Sequence, residues 1–178
     1  MGADKVLLDF GGHTLLERAI AVVRETTPNF AIVGDPEKFA AYGPVIADLY
    51  PGCGPLAGIH AALLHSSAEL NLMLAVDMPF VTRELLAFLF AAASETDAIV
   101  VVPRTARGFQ PLCAVYRRAF AATAEEALQA GSYKIDAVFP GAAVRVIEEE
   151  ELARAGFSER MFFNVNTPND LRTAKKQG

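Results

Sequence analysis

The chain has 178 residues, 52% apolar and 21% charged, with a formal net charge of −5. That balance suits one globular domain with a proper core and excludes a disordered polar chain. It also argues against a broad nucleic-acid surface, although a small phosphate ligand needs only a few local cations.

No apolar run reaches the ~18 residues of a membrane helix; the nearest, "LLAFLFAAAS", is about half that length and reads as a buried helix. No basic segment with a cleavage site points to secretion. Cys53 and Cys113 lie far apart without a CxxC companion, which predicts two free thiols. The expectation is one cytoplasmic domain over residues 1–178, without membrane or nucleic-acid partners and monomeric by default.

Along the chain, "VLLDF" reads as a short extended run closed by Gly11-Gly12. Thr14-Leu15-Leu16-Glu17 has the form of a capping box, and Leu16, Ala19, Ile20 and Val23 follow at helical spacing. "NFAIVG" predicts a strand ending at Gly34, and "PVIAD" another. "YPGCGPLAG" breaks regular structure before a helix over "IHAALLHS". "LNLMLAV" is apolar almost without alternation, as in a central strand covered on both faces, and it leads to Asp77. Thr82 caps a helix over "RELLAFLFAAAS", and "DAIVVVP" is a second fully apolar strand. The loop "RTARG" leads to the strand "FQPLCAVY", where a short connection permits an antiparallel return. Helices over "RAFAATAEEALQAG" and "YKIDAVF", the strand "AVRVI" and an acidic helix start "EEEELARAG" follow. "MFFNVN" predicts the last strand; Thr167, Pro168 and Asp170 then open the final helix. Strand–helix alternation of this kind predicts an α/β fold, a mostly parallel sheet with helices on both faces, whose ligands gather at the carboxyl ends of the strands.

That rule ranks the polar residues. Asp77 follows a predicted central strand, and a carboxylate there suits a hard cation such as Mg²⁺; it equally suits a turn before Met78-Pro79. Gly52, Gly54 and Gly58 in "GCGPLAG" let backbone amides approach a ligand, and a helix beginning near Leu56 offers its positive end to an anion. Without a following Gly-Lys-Ser/Thr this is no Walker motif, and a plain loop fits it as well. In a strand, Asn164 and Asn166 would share one face, able to bind a sugar, a base edge or metal-bound water. Asn166 could instead organise the entry to the last helix. Asp48 is an acceptor for a hydroxyl or base edge, or a turn residue. Arg104 and Arg107 could reach a phosphate, with Gln110-Pro111 at the same mouth. His13, His60 and His65 show no zinc pattern, and no GxSxG elbow supports a covalent nucleophile.

Taken in order, "MGADK", "GPLAG" (Gly54 to Gly58), "VDMPF" around Asp77, "QPL" at Gln110–Leu112 and "NVNTPNDL" resemble the MobA-type molybdenum cofactor guanylyltransferases. These belong to the Rossmann-like, three-layer α/β/α nucleotidyltransferases. The resemblance spans nearly the whole chain. It implies GTP and molybdopterin as substrates, with molybdopterin guanine dinucleotide and pyrophosphate as products. By similarity Asp77 holds Mg²⁺ and Lys5 neutralises the triphosphate. Asp48 and the loop Gly54-Pro55-Leu56-Ala57-Gly58 bind guanosine, while Asn164 and Asn166 lie near the pterin or the metal shell. Family habit adds a GTP-binding accessory protein and recipient molybdoenzymes as transient partners.

The chain departs from the family pattern at its start. "MGADK" matches the last five positions of a "LAGGxSxRMGxDK" loop, whose earlier part supplies a backbone cradle and an arginine for the triphosphate. A missing first strand would leave a gap in the sheet, so upstream residues are expected to complete it. Two other readings remain: a cytidylyl- or sugar-phosphate nucleotidyltransferase, and a non-catalytic nucleotide or pterin-binding module.

Overall fold

The computed structural model describes residues 6–177. Its first elements are an antiparallel hairpin, β1 (Asp9–Phe10) and β2 (His13–Thr14), turned by Gly11-Gly12. Helix α1 (Leu15–Thr26) starts on the expected capping box. The Thr14 hydroxyl accepts from the Glu17 amide at 3.1 Å, and the Glu17 carboxylate accepts from the Thr14 amide at 2.7 Å.

A small parallel pair follows, β3 (Ile32–Val33) and β4 (Val45–Ile46), with the short helix α2 (Pro36–Phe39) between them. Next come α3 (Pro55–His65), β5 (Leu70–Leu74), α4 (Arg83–Ser94), β6 (Val100–Thr105), β7 (Gly108–Phe109), β8 (Cys113–Arg117) and α5 (Phe120–Gln129). A 3₁₀ turn (Asp136–Gly141), β9 (Val144–Ile147), α6 (Glu149–Arg154), a second 3₁₀ turn (Glu159–Phe162) and α7 (Pro168–Gln177) complete the order.

The large sheet runs β5-β8-β6-β7, with β9 on β6. Strand β8 is antiparallel to both β5 and β6, whereas β9 is parallel to β6. The mostly parallel sheet expected from strand–helix alternation is therefore corrected to a mixed one. The physical reason is loop length: β6 turns into β7, and the short Gln110–Leu112 turn lacks the dozen residues a parallel crossover needs.

Inward-facing residues alternate along the strands with the period of two that pleating imposes. Val100, Val102, Ala114 and Tyr116 join Leu56, Ile59 and Leu63 of α3 and Phe120 and Leu128 of α5 in one core cluster. Val101, Cys113 and Val115 face the other way, onto Leu85, Leu86 and Leu89 of α4 and Leu152 of α6. The sheet is thus layered by helices on both faces.

Three further expectations change. Among the described residues β5 pairs only with β8, and all its residues are half-buried, so "LNLMLAV" forms an edge rather than a central strand. The β3–β4 pair is a separate sheet. Helix α3 begins at Pro55, inside "GPLAG", in line with the helix start expected near Leu56. "MFFNVN" is not a strand: it enters from a 3₁₀ turn and runs irregularly to α7. Among the described residues no helix is long and apolar enough to cross a membrane.

Candidate active site

Beyond Leu74 the chain leaves β5 through Ala75 and Val76 to Asp77. The Ala75 amide donates to the Leu112 carbonyl at 2.7 Å, one step past the last ladder pair, Leu74 with Cys113. The Asp77 carbonyl accepts from the Val165 amide at 2.8 Å. This bond brings the segment Asn164-Val165-Asn166 against Asp77. It does so through one backbone contact at a buried valine, not through a strand ladder.

Asn164 and Asn166 therefore flank a pinned residue instead of sharing a strand face. Asn164 is half-buried and its Nδ2 donates to the Phe162 carbonyl at 3.3 Å. Exposed Asn166 and Thr167 donate their amides to one Asp170 carboxylate oxygen, at 3.0 and 2.8 Å. Asp170 in turn donates its amide to the Thr167 hydroxyl at 3.1 Å, so the expected cap of α7 is present.

The second part of the site is the segment from Asp48 to Gly58. Half-buried Asp48 accepts from the Tyr50 amide at 2.9 Å, an Asx-type bond that fixes its carboxylate at the loop entry. Gly54 is the N-cap of α3 at φ 74° and ψ −166°, with no side-chain hydrogen bond on the first turn. Pro55 fits the first helical position because it has no amide hydrogen to lose. Leu56 is fully buried, anchoring the helix start in the core, whereas Gly54 and Pro55 are exposed. A Cβ on Gly58 would stand 3.3 Å from Val33 Cγ1, so the glycine lets α3 lie close to β3.

Beneath this loop His60 is buried, its ring edge-on to Tyr50 with centroids 5.4 Å apart. It is a packing residue, and neither ring nitrogen has a hydrogen-bond partner among the described residues. Cys53, in the same turn, shares a hydrogen bond with Tyr133 that raises the tyrosine's pKa above its ordinary value.

Tyr50, Cys53 and Leu112 pack on the cluster that contains Leu56. Since Leu112 also holds Ala75, the glycine-rich segment and the Asp77 strand end are parts of one packed unit. Lys5 lies outside the described residues. Arg104 and Arg107 turn away from the phosphate role considered for them. Arg104 makes a bidentate contact with Glu148 at 2.6 and 2.9 Å, and Arg107 lies 3.3 Å from Glu159.

Two other arginines border the Asp77 loop, and no spacing in the sequence marks them. Arg18 lies 4.9 Å above the Phe10 ring with Nη2 3.5 Å from the Pro79 carbonyl, and Arg160 lies 4.3 Å above Phe80. The arrangement combines an aspartate pinned through its backbone carbonyl, a helix start without a side-chain cap and nearby cations. That set can hold and align phosphates.

The fold and this site define a nucleotidyltransferase-like α/β protein. The structure resembles a 2-C-methyl-D-erythritol 4-phosphate cytidylyltransferase from Thermus thermophilus at TM-score 0.73 and 21% identity, over 98% of this chain and 93% of that one. The more specific match is to the MobA-like NTP transferase domain, whose family model covers residues 1–145. A "Probable molybdenum cofactor guanylyltransferase" of Pelotomaculum thermopropionicum is 37% identical over 98% of this chain and 85% of its own length. Among solved structures, molybdopterin-guanine dinucleotide biosynthesis protein A from Archaeoglobus fulgidus matches with TM-score 0.82 and 31% identity, covering 99% of this chain and 91% of that one. The chain belongs to the MobA-like NTP transferase family.

Proposed function

We propose that the protein is a molybdenum cofactor guanylyltransferase, transferring GMP from GTP to molybdopterin. The observation that carries the reading is the Val165–Asp77 bond, which gathers the aspartate and both asparagines at one strand end. The relatives' names support the choice of substrates.

The attacking group is the terminal phosphate of the pterin, already an anion, so the reaction needs no strong general base. Its oxygen bonds to the α-phosphorus of GTP. The bond from that phosphorus to the α–β bridging oxygen breaks, and pyrophosphate leaves with the electron pair. The barrier lies in crowding negative charge at the α-phosphate, which alignment and cations relieve.

In this reading Asp77 holds Mg²⁺, which when bound neutralises the phosphate oxygens. The donors fit: Mg²⁺ uses one or two carboxylates plus substrate phosphates rather than a protein cage. Among the described residues no group of three or more His, Cys, Asp or Glu forms such a cage. Asp48 accepts from the guanine edge or ribose. The start of α3, from Gly54 through Pro55 and Leu56 to Gly58, cradles the nucleotide. Asn164 and Asn166 orient the pterin phosphate or the metal's waters, and Lys5 neutralises the triphosphate. The enzyme works in the cytoplasm, meets a GTP-binding accessory protein transiently and passes its product to recipient molybdoenzymes.

Residues 1–178 are read as one nucleotidyltransferase domain.

Pyrophosphate release with molybdopterin and Mg²⁺ in competing GTP and CTP tests the function. Turnover with GTP is expected. Turnover with CTP alone would sink the guanylyl choice, and binding without release would leave a binding module.

A further inference from the structure

Every backbone carbonyl of the Gln110-Pro111-Leu112 turn is engaged. Gln110 accepts from the Cys113 amide at 2.9 Å, Pro111 from the Tyr116 hydroxyl at 2.8 Å, and Leu112 from the Ala75 amide at 2.7 Å. The last bond grips the chain two residues before Asp77. On its other flank the turn is braced by the buried Gln110 side chain, whose Nε2 donates to the Thr105 hydroxyl and the Gly108 carbonyl, each at 3.3 Å.

Tyr116 is the fixed point of this arrangement. It is fully buried, and its backbone lies between Asn71 of β5 and Val100 of β6. Its ring packs at 5.0 Å from Phe120 in the cluster that holds α3. Phenylalanine would fill the same space without the cost of desolvating a hydroxyl. What the hydroxyl adds is the bond to Pro111.

We propose that Tyr116 is a positioning residue for Asp77, acting through the Pro111 carbonyl on the turn whose Leu112 carbonyl sets the strand end. The proposal rests on the reading of Asp77 as the carboxylate that holds the metal at the reacting phosphates. Burial raises the pKa of the phenol, so it remains a neutral donor throughout the working pH range. Loss of the hydroxyl leaves the Pro111 carbonyl short of a donor and frees the turn to shift. A displacement of about 1 Å at a reacting centre costs on the order of 10²-fold in rate. The Asp48–Gly58 segment shares that core cluster, but its own anchors, the Asp48–Tyr50 bond and the buried Leu56, do not pass through the Pro111 carbonyl.

The test is Tyr116→Phe in the full chain, with kcat, the affinity for metal-free GTP and the affinity for Mn²⁺ measured, the last by electron paramagnetic resonance with GTP present. A fall in kcat of roughly 10- to 100-fold, weaker Mn²⁺ binding and a metal-free GTP affinity unchanged within about twofold are expected. Wild-type kcat and Mn²⁺ affinity, with only a lowered melting point, would overturn the proposal by reducing Tyr116 to a structural residue. Asp77→Asn is run alongside: if it retains turnover and Mn²⁺ affinity, the reading of Asp77 is what fails. Should Tyr116→Phe not fold, Gln110→Met loosens the same turn from its other flank. It is expected to give the same split, and a folded Gln110→Met with wild-type kcat and Mn²⁺ affinity also overturns the proposal.

Discussion

Replacing Gly54 with alanine separates backbone strain from crowding, because an added Cβ would meet nothing within 4 Å. What opposes the change is conformation. Gly54 sits at φ 74° and ψ −166°, a region essentially reserved for glycine, where another residue costs about 1–3 kcal/mol. In a chain of this size each kcal/mol moves the melting point by about 2–4 °C, so a fall of about 2 to 12 °C is expected. If the bend relaxes to accommodate the side chain, the start of α3 is re-aimed and GTP affinity falls as well.

Gly58→Ala is the internal control. Alanine is favoured over glycine inside a helix by about 0.5–1 kcal/mol. Its Cβ would meet Val33 Cγ1 at 3.3 Å, which asks that side chain to yield by a few tenths of an ångström. The two effects offset, and a nearly unchanged midpoint is expected. Thermal unfolding followed by circular dichroism, with calorimetric titration of Mg-GTP, measures both variants. A Gly54→Ala protein with wild-type midpoint and affinity, or a Gly58→Ala protein that is the weaker of the two, would refute the reasoning.

Asp77→Asn keeps the shape of the loop and removes its charge; pyrophosphate release should fall by about 10²–10³-fold with the melting point retained. Burial pushes the Cys113 thiol up to about 12 from an ordinary 9.0, so above pH 9 the unfolded chain loses a proton that the folded one keeps. Stability from this residue is complete below pH 9 and declines by about 1.4 kcal/mol per pH unit from there towards 12. Urea midpoints between pH 8 and 11 should slope less in Cys113→Ala, and identical slopes would contradict the assignment. Thr14→Ala removes the α1 cap at about 1 kcal/mol. The bonds from Thr14 also hold the Glu17 carboxyl below its ordinary value of 4.5. That contribution is present above pH 4.5 and lost as pH falls, so the penalty measured at pH 7 should shrink on acidification through that range; a constant penalty argues against the box.

Features set by neighbours in sequence were legible, and features set by distant partners were not. The Thr14–Glu17 box and the Thr82 cap follow from spacings of three residues, which the helix itself turns into contacts. "DAIVVVP" reads correctly as an inner strand because Val100, Val101 and Val102 are buried on both faces. The same logic misplaces "LNLMLAV", since apolar character on two faces does not tell which strands lie alongside. "NVN" fails for another reason. The Asp170 carboxylate takes the Asn166 and Thr167 amides, and this local cap outcompetes a ladder that the spacing of two had suggested. Tyr116 left no signal, because an aromatic in "LCAVY" looks like any strand residue until its hydroxyl finds Pro111.

The way the two halves of the site are held bears on how catalysis proceeds. Met73 packs with the first core cluster, Leu74, Ala75 and Met78 with the second, and Val76 and Phe80 with the third. A strand end tied to three packed bodies, and bonded at both Ala75 and Asp77, is barred from large swings, which leaves only ångström-scale shifts for a loosened turn to cause. The segment from Asp48 to Gly54 is held differently: Leu49 is 60% exposed, and both Gly52 and Gly54 take positive φ. In the proposed reading, adjustment to the nucleotide would fall to the glycine-rich side, while the Asp77 backbone keeps its place. For phosphoryl transfer this division is physically sensible. Under the proposed function, the developing charge at the α-phosphate would be met by the cation that Asp77 holds, from a backbone position set during folding, so little reorganisation would remain at the moment of reaction.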